Sequence, residues 1–287
     1  MQMLKGEKSI ELKTSKLALS LLKYIFLIII LLLSIGPFLW VLLSSFKSNA
    51  EIMTSSIGFP QHFKFSNYVS AFKIAPIAQF YLNSTIVAIL GTLLNLIILG
   101  MAAYVLARFQ FKGKKLIISV LSLSLLIPGA ALLQPLYLTV KHLGLYDQLY
   151  GLMLVYAGFG LPTSLYIMYS YFLTIPKELE ESAYLDGASF LKTFTRIILP
   201  LSKPGFSTAA VLQFLLCWNE FQFALTLTSG NKSRTLPLAL YYFKSQFGSD
   251  YGIMFAATII IIIPSIIVYV ILQEQVVSGL AAGAVKG

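Results

Sequence analysis

The sequence has 287 residues, of which 57% are hydrophobic and only 11% charged, and its mean hydropathy is +0.82. Soluble domains carry about 25% charged residues, so 21 basic and 11 acidic residues are too few to cover a soluble globule of 31.8 kDa. The composition therefore excludes an ordinary soluble protein. The net charge of +10 is explained by loops that face anionic lipid, without nucleic acid as a partner.

Charged residues divide the chain into long apolar stretches. A membrane helix needs about 20 apolar residues, and six stretches reach that length. Continuous Ile and Leu runs, as at 25–33, do not alternate as barrel strands would. We therefore predict an all-α polytopic membrane protein with a transmembrane domain at 24–274. Its six predicted spans cover about 24–46, 82–107, 116–138, 150–173, 204–228 and 252–273.

The distribution of lysine and arginine predicts the orientation. With six spans, one face consists of 1–23, 108–115, 174–203 and 275–287, and it carries 14 of these residues against 7 on the other face. Cytoplasmic loops are enriched in lysine and arginine. The N-terminal segment 1–23 and the C-terminal tail 275–287 are therefore both predicted to be cytoplasmic.

Helix-breaking residues lie inside the predicted spans, among them Pro128, Pro162 and Pro264. Such residues are tolerated in membrane helices where neighbouring helices satisfy the freed carbonyls. We interpret them as ordinary kinks in a packed bundle, with a hinge as the alternative.

The predicted cytoplasmic loop 174–203, between spans four and five, has the pattern of a helix–turn–helix. Thr174 is suited to cap a first helix that carries three glutamates near its positive end. Gly187 interrupts the pattern because glycine permits a left-handed turn, and Ser189 is suited to cap a second helix. The apolar face of the first helix is predicted at Leu179, Ala183 and Tyr184.

The spacing within this loop resembles the EAA motif of ABC importer permeases, EAA-x3-G-x9-I-x-LP, with serine in place of the first alanine. The residues that carry the resemblance are Glu181, Ser182, Ala183, Asp186, Gly187, Ala188, Ile197, Leu199 and Pro200. The resemblance implies that the loop is a coupling helix seated in a groove of a separate ATPase subunit. It assigns Glu181 to a polar contact, and Ala183 and Gly187 to the close approach.

The C-terminal sequence SGLAAGAVKG at 278–287 resembles the tail of the smaller maltose-type permease subunit, with Ala281 where threonine is usual. In that subfamily the tail reaches into the interface between the two ATPase subunits. The resemblance implies this role for Gly283, Ala284, Val285, Lys286 and Gly287.

The resemblance implies a permease of an ATP-driven, binding-protein-dependent importer for a carbohydrate such as an oligosaccharide, in a bacterial plasma membrane. The implied partners are a homologous permease subunit in a heterodimer, two copies of an ABC ATPase, an extracellular sugar-binding protein and membrane lipid. The sequence has no G-x4-GK[ST] phosphate loop. We therefore expect no enzymatic activity and no bound cofactor in this chain, with ATP and Mg²⁺ on the ATPase. One cysteine and two distant histidines predict no metal site.

Span five contains four candidate pore residues, Trp218, Asn219, Glu220 and Phe221. Glu220 is the only acid well inside a predicted span, and such a group should face a watery cavity or the bundle interior. In one interpretation Trp218 or Phe221 offers an apolar face to a sugar ring. In the other, Asn219 and Glu220 hydrogen-bond neighbouring helices.

Two further questions stay open at the level of sequence. The outer loop 229–251 fits either a contact with the binding protein or an interfacial aromatic belt at Tyr241, Tyr242 and Phe243.

The alternative functions are an ion-coupled secondary transporter of a small polar solute and a structural membrane subunit. A secondary transporter typically has coupling carboxylates near the midplane and two similar halves, and only Glu220 fits that pattern.

Overall fold

The computed structural model describes residues 2–55, 57–245 and 248–284, with side chains at 19–55, 57–243 and 250–274. Its regular structure is almost entirely helical, which confirms the predicted class. The two strands, β1 (Lys244–Ser245) and β2 (Gly248–Ser249), have two residues each. The chain divides into two compact units, 1–71 with 247–259 and 72–246 with 260–287.

The first unit contains a long N-terminal helix and a short helical segment that follows it. Its helices are α1 (Gln2–Ser44), α2 (Asn49–Thr54) and most of α3 (Ser66–Ile74). The part of α1 from Leu19 to Ser44 has a mean hydropathy of 2.9, and its most apolar window is unburied in the described chain. The amide of Asn67 donates to the carbonyls of Ser45 and Lys47, both at 2.8 Å, and so fixes the turn after α1.

The second unit is built around α4 (Ile77–Arg108), a helix of 32 residues. It packs against α7 (Leu149–Phe159), α8 (Leu161–Thr174) and α12 (Lys203–Asn219). A buried apolar cluster lies where α4, α8 and α12 meet. Its members include Leu99, Ala103, Tyr104, Leu165, Met168, Phe172 and Ala209. Because it packs on three neighbours, α4 is the central helix of this unit.

The predicted span 116–138 is a sharply bent pair of helices instead of one continuous helix. α5 (Lys114–Ser124) is followed by a 3-10 turn at Gly129–Leu132 and by α6 (Leu133–His142), with a bend of 97°. Pro128 sits at the break in an extended conformation, with ψ 131°. Proline lacks an N–H and disfavours a helical residue before it. The break is therefore larger than the kink that the sequence predicts.

The predicted span 150–173 is also bent, by 48° between α7 and α8. Pro162 lies in the first turn of α8. Two side chains from neighbouring helices reach the end of α7: Asn95 donates to the Ala157 carbonyl at 2.8 Å, and Gln213 donates to the Tyr156 carbonyl at 2.9 Å. Side chains of neighbouring helices thus hydrogen-bond to the backbone just before the bend.

The predicted span 204–228 is interrupted. α12 ends at Asn219, and a short helix, α13 (Gln222–Leu227), begins after Glu220 and Phe221. The last helix, α14 (Tyr251–Ala284), contains the predicted span 252–273 and has Pro264 inside it without a break.

Three helical stretches in the described part of the chain are long and apolar enough to cross a membrane: Leu19–Ser44, Ile77–Arg108 and Tyr251–Glu274. The count rises to five when each bent pair is taken as one span. At 17 residues, α12 is shorter than all of these. The fold is thus an all-helical membrane protein with three to five candidate spans.

Candidate functional site

The loop between α8 and α12 folds as a helix–turn–helix, with a later start than predicted. It consists of α9 (Glu178–Leu185), α10 (Phe190–Thr193), a π-helical turn over Phe194–Ile198 and α11 (Leu199–Leu201). The prediction that Thr174 caps the first helix is wrong, because Thr174 ends α8 and donates its hydroxyl to the Tyr171 carbonyl at 2.7 Å. α10 begins directly after Ser189, at the predicted position, but the Ser189 side chain makes no capping hydrogen bond.

Gly187 forms the turn between α9 and α10 with a φ of +78°, in the left-handed region. The N–H of Ala188 donates to the Ala183 carbonyl at 2.9 Å, and that of Gly187 donates to the Tyr184 carbonyl at 3.0 Å. This pair of bonds is the Schellman C-cap. A Cβ at position 187 would meet no described atom within 4 Å. Backbone conformation, not lack of space, therefore selects glycine here.

The Ile-x-Leu-Pro part of the motif lies in the π-helical turn and the residues after it. The N–H of Leu199 donates to the carbonyl of Phe194, five residues earlier. The following Pro200 has no N–H to continue an α-helical ladder, and a π turn is one way for a helix to accommodate such a residue. Leu199 also lines an apolar cavity of about 300 Å³, together with Gly100 and Phe206. The turn thus brings this loop against α4 and α12.

The exposed surface of the loop differs from the predicted one. Of the predicted apolar face, Ala183 is buried while Leu179 and Tyr184 are exposed, and Glu180 is buried beside Ala183. Positions three apart share a helix face, and an ion partner for Glu180 selects this face. Ala183 therefore packs against its own chain. The exposed residues around the turn are Glu181, Ser182, Leu185, Asp186 and Gly187.

Glu180 belongs to a cluster that sequence reasoning missed. Its Oε1 accepts from Nε of Arg108 at 2.5 Å, and its Oε2 accepts from the hydroxyl of Tyr104 at 2.9 Å. The Arg108 Nη2 also donates to the Ile175 carbonyl at 2.9 Å. The available signal was an arginine at the end of span two, which has no acidic residue near it in sequence.

Aromatic rings surround this cluster. The ring of Tyr104 lies 5.5 Å from that of Phe172, 5.6 Å from Phe190 and 4.9 Å from Phe194, between centroids. These distances are typical of favourable aromatic contacts. The rings attach α10 and the π turn to α4 and α8, so the ion pair lies in an apolar setting.

The predicted C-terminal tail begins as a continuation of α14. Backbone helix continues through Gly283 to Ala284. Val285, Lys286 and Gly287, which the resemblance assigns to the ATPase interface, lie outside the described residues.

Trp218, one of the four candidate pore residues, is enclosed by other side chains and is 2% exposed. Its Nε1 donates to the Ile261 carbonyl of α14 at 3.1 Å. Its ring makes an edge contact with Tyr81 and stacks on Phe214, at centroid distances of 5.5 and 5.6 Å. Trp218 therefore joins three helices, whereas Asn219 and Phe221 are exposed.

Glu220 lies at the break between α12 and α13, where its carboxylate caps the second helix. Oε1 accepts from the N–H of Phe223 at 2.7 Å, and Oε2 accepts from the N–H of Ala224 at 2.9 Å. The Tyr156 hydroxyl also donates to Oε2, at 2.6 Å. These are the free donors of a helix N-terminus, so the geometry favours the hydrogen-bonding interpretation of Glu220.

The segment 228–236 is tied down at two points. Oδ1 of Asp147 accepts from the N–H groups of Ser229 and Gly230, at 2.8 and 3.0 Å, and from the Ser233 hydroxyl. Burial raises the pKa of Asp147, but these hydrogen bonds outweigh it and lower the pKa from 3.8 to about 2. Asp147 itself has a φ of 60°, which is uncommon for a residue other than glycine.

The second attachment comes from α4. Asn83 donates to the carbonyls of Lys232 and Arg234, at 3.0 and 2.8 Å, and Ser84 accepts from the N–H of Leu236 at 2.7 Å. Of the three predicted belt residues, Phe243 is buried, Tyr242 is partly buried and Tyr241 is 60% exposed. Residues 228–243 are therefore held against the rest of their unit, and Tyr241 is the aromatic side chain that projects from them.

Residues 96–281 match the protein family described as the inner membrane component of binding-protein-dependent transport systems. The chain is 35% identical over 254 residues to the diacetylchitobiose uptake system permease protein NgcG of Streptomyces coelicolor, covering 88% of this chain and 84% of that one. It is 39% identical over 265 residues to the trehalose/maltose transport system permease protein MalG of Thermococcus litoralis, covering 91% and 94%.

A solved structure has the same fold. A chain of a bacterial ABC transporter that imports the acidic polysaccharide alginate superimposes with a TM-score of 0.79, at 23% identity, over 91% of this chain and 97% of that one. Together with the family match and the similarity to sugar-system permeases over most of their length, this identifies an integral membrane transport subunit. The chain belongs to the family of inner membrane components of binding-protein-dependent transport systems.

Proposed function

We propose that this chain is the transmembrane permease subunit of an ATP-driven importer for a carbohydrate of the oligosaccharide class. The observation that carries the proposal is the similarity over most of the chain to permeases named for diacetylchitobiose and for trehalose and maltose. The exposed turn at Gly187 supports the ATP-driven part, because an ion-coupled transporter needs no docking site for an ATPase. The chain would form half of the translocation pathway.

The proposed topology has six spans, with both termini in the cytoplasm. The fifth span would consist of α12 and α13 together, because residues 203–227 give the length that α12 lacks alone. The bias of 14 to 7 in lysine and arginine supports this orientation. Residues 24–274 would form the membrane domain, flanked by cytoplasmic segments.

The proposed assembly consists of this chain, a homologous permease subunit, two copies of an ABC ATPase and an extracellular sugar-binding protein, in a bacterial plasma membrane. Six spans are too few to enclose a sugar conduit, which supports a second permease. ATP and Mg²⁺ would bind to the ATPase, and this chain would bind no cofactor.

The coupling contact would be made by the exposed side of the loop 174–203. Glu181 would make a polar contact with the ATPase, and Gly187 would permit its close approach, with Ser182, Asp186 and Ala188 beside them. Ala183 is buried and would support the loop from its inner side, and Ile197, Leu199 and Pro200 would set the shape of its second half. The residues from Gly283 to Gly287 would reach the ATPase interface. Asn219 and Phe221 are the pore candidates that have exposed side chains.

The coupling contact is tested with Gly187→Asp in the assembled importer. The substitution adds a charge and a Cβ at a left-handed position of the docking turn. We expect the purified complex to lose its ATPase subunit, or to keep it and lose ATP-dependent sugar uptake. The measurements are the ATPase retained per permease on co-purification, and the uptake of radiolabelled trehalose, maltose and diacetylchitobiose into proteoliposomes.

The matched control is Gly144→Asp. Gly144 also has a positive φ, of 71°, and a Cβ there would also meet no atom of the described chain within 4 Å. It lies between α6 and α7, outside the coupling loop, so this variant is expected to keep the ATPase. If Gly187→Asp leaves both ATPase retention and uptake unchanged, the proposal that this loop contacts the ATPase is wrong. Uptake that stops with an ionophore and needs no ATP would favour the secondary transporter.

A further inference from the structure

Helix α9 is held to α4 by side chains alone. It is connected through the chain to α8 before it and to α10 after it, but not to α4. The contact includes hydrogen bonds from Tyr104 and Arg108 on α4 to Glu180 on α9, and we name these three residues the α4–α9 joint. Both carboxylate oxygens of Glu180 are occupied by donors from α4.

The joint is buried and charged. The side chains of Arg108 and Glu180 are 5% and 8% exposed. Attraction between opposite charges is stronger away from water, and removal of one partner leaves a buried charge without compensation. A shift of α9 relative to α4 would therefore separate the two charges in an apolar setting. The two helices are expected to move together.

The joint lies directly behind the proposed docking surface. Adjacent residues on an α-helix point about 100° apart. Glu180 faces inward and is buried, whereas its neighbour Glu181 is exposed. One turn of helix thus presents one glutamate to the outside and holds another against the membrane helices. A partner that binds at Glu181 and displaces it would therefore also displace Glu180, because the two residues are adjacent in α9.

The helix that Glu180 contacts, α4, is the central helix of its unit. α4 packs against α7, α8 and α12, and Arg108 is its last residue. The Arg108 Nη2 contact with the Ile175 carbonyl adds the segment between α8 and α9 to the same attachment. Without the ion pair, movement of α9 would reach α4 only indirectly, through the chain connection to α10 and the contacts of the Phe190 and Phe194 rings with Tyr104.

We propose that the α4–α9 joint transmits the movement of the coupling loop to α4, and that Arg108 and Glu180 are positioning residues for transport. The proposal rests on the proposed function, in which an ATPase moves this loop. Under it, loss of the joint separates ATP hydrolysis from sugar movement, whereas a purely structural ion pair would change both in proportion.

The test uses the complete importer in proteoliposomes with its binding protein and radiolabelled trehalose, maltose and diacetylchitobiose. Sugar taken up and ATP hydrolysed are measured together for the wild type and for Glu180→Gln, which keeps shape and removes charge. We expect the ATPase subunit to be retained, hydrolysis to continue, and the ratio of sugar to ATP to fall about tenfold, within the range known for coupling mutations.

The matched control is Glu274→Gln, an exposed glutamate of α14 outside the coupling loop, which should keep the wild-type ratio. If Glu180→Gln does not assemble, Arg108→Lys is measured instead. Lysine keeps the positive charge but lacks the planar guanidinium group with which Arg108 donates to both the Glu180 carboxylate and the Ile175 carbonyl. Its ratio is expected to lie clearly below the wild-type value.

Two outcomes would overturn the proposed role of the joint. One is an unchanged ratio of sugar to ATP in the assembled variant, whether hydrolysis and uptake both stay at the wild-type level or both fall in proportion. The other is a wild type that shows no ATP-dependent uptake of any of the three sugars, which removes the proposed function as well. The wild-type measurement therefore separates failure of the proposed function from failure of the joint alone.

Discussion

At the scale of single residues, Glu220 shows how an ionisable group is kept in a helix that is otherwise apolar. Its carboxylate accepts two backbone N–H groups of α13 and the Tyr156 hydroxyl. A break in a membrane helix exposes such N–H groups, and an unpaired one costs several kcal/mol in apolar surroundings. The Glu220 carboxylate accepts hydrogen bonds from the N–H groups that the break between α12 and α13 exposes.

Asp147 has the corresponding role for the segment 228–236. Its carboxylate holds Ser229, Gly230 and Ser233, and its pKa is lowered because these donors favour the charged form. A lowered pKa in the folded protein means that stability is present above the unfolded pKa and lost as pH falls through the folded one. For Asp147 this window runs from about pH 4 down to about pH 2.

The change Asp147→Asn removes this charge with little effect on the backbone, since asparagine also tolerates a positive φ. Hydrogen bonds to charged groups contribute about 1.5–3 kcal/mol, and the partial exposure of Asp147 reduces this. We expect a loss on the order of 1 kcal/mol in unfolding free energy at pH 7. Unfolding of the detergent-solubilised protein between pH 7 and pH 2.5 measures it.

The variant should also lose less stability than the wild type between about pH 4 and pH 2. Glu178→Gln, at an exposed carboxylate on α9, controls for the general effect of removing one acid and should follow the wild-type curve. Parallel acid curves for Asp147→Asn and the wild type would rule out the proposed contribution of this carboxylate.

At the scale of elements, the close approach of α4 and α12 depends on one small residue. A Cβ at Gly100 would lie 2.6 Å from Cζ of Phe206. The Phe206 ring also contacts the ring of Phe172 edge-on, at a centroid distance of 6.3 Å. A methyl group at position 100 would therefore require the Phe206 ring to move, and glycine permits the observed distance between these helices.

The substitution Gly100→Ala is expected to destabilise the protein by about 1–3 kcal/mol, the usual cost of overpacking a core. Combining it with Phe206→Leu should cost less than the sum of the two single changes, because the smaller side chain leaves room for the new methyl group. Denaturant unfolding of the three variants in detergent measures both effects.

The matched control is Gly158→Ala, also within a helix, where a Cβ would meet no described atom within 4 Å. Alanine has a better helix propensity than glycine by about 1 kcal/mol, so this change should be neutral or stabilising. Equal destabilisation at positions 100 and 158 would show that the helix contact at Gly100 is not the cause.

At the scale of the whole molecule, the open question is the path of the bent pair α5 and α6 through the membrane. A bend of 97° fits either a broken span or a segment that returns to its starting side. The six-span proposal requires that this pair crosses, because only then do Lys112 and His142 lie on opposite faces. Cys217 is the single cysteine of the sequence and is buried, so the wild-type protein should react little with a cysteine-labelling reagent.

Single cysteines at three exposed positions decide this path: Lys112→Cys, His142→Cys and Lys232→Cys. With a membrane-impermeant reagent we expect Lys112→Cys to be labelled from the cytoplasmic side, and the other two from the outside. The measurement compares intact spheroplasts with inverted vesicles. Labelling of His142→Cys from the cytoplasmic side would mean that α5 and α6 re-enter, and the count of six would be wrong.

The all-helical membrane class, the transport family and the turn at Gly187 could be predicted from the amino-acid sequence. Each depends on local properties: the length of apolar stretches, the spacing of a short motif, and the left-handed φ that glycine adopts at +78°. The turn at Gly187 could be predicted because the interaction that determines it lies within a few residues.

Only the tertiary structure decided the bend at Pro128, the enclosure of Trp218 and the inward orientation of Glu180. The sequence allowed Glu180 either face of α9, and its partner Arg108 lies 72 residues away. Whether a proline kinks or breaks a helix likewise depends on which neighbours satisfy the freed carbonyls. These features are set by contacts between distant segments, which local periodicity does not encode.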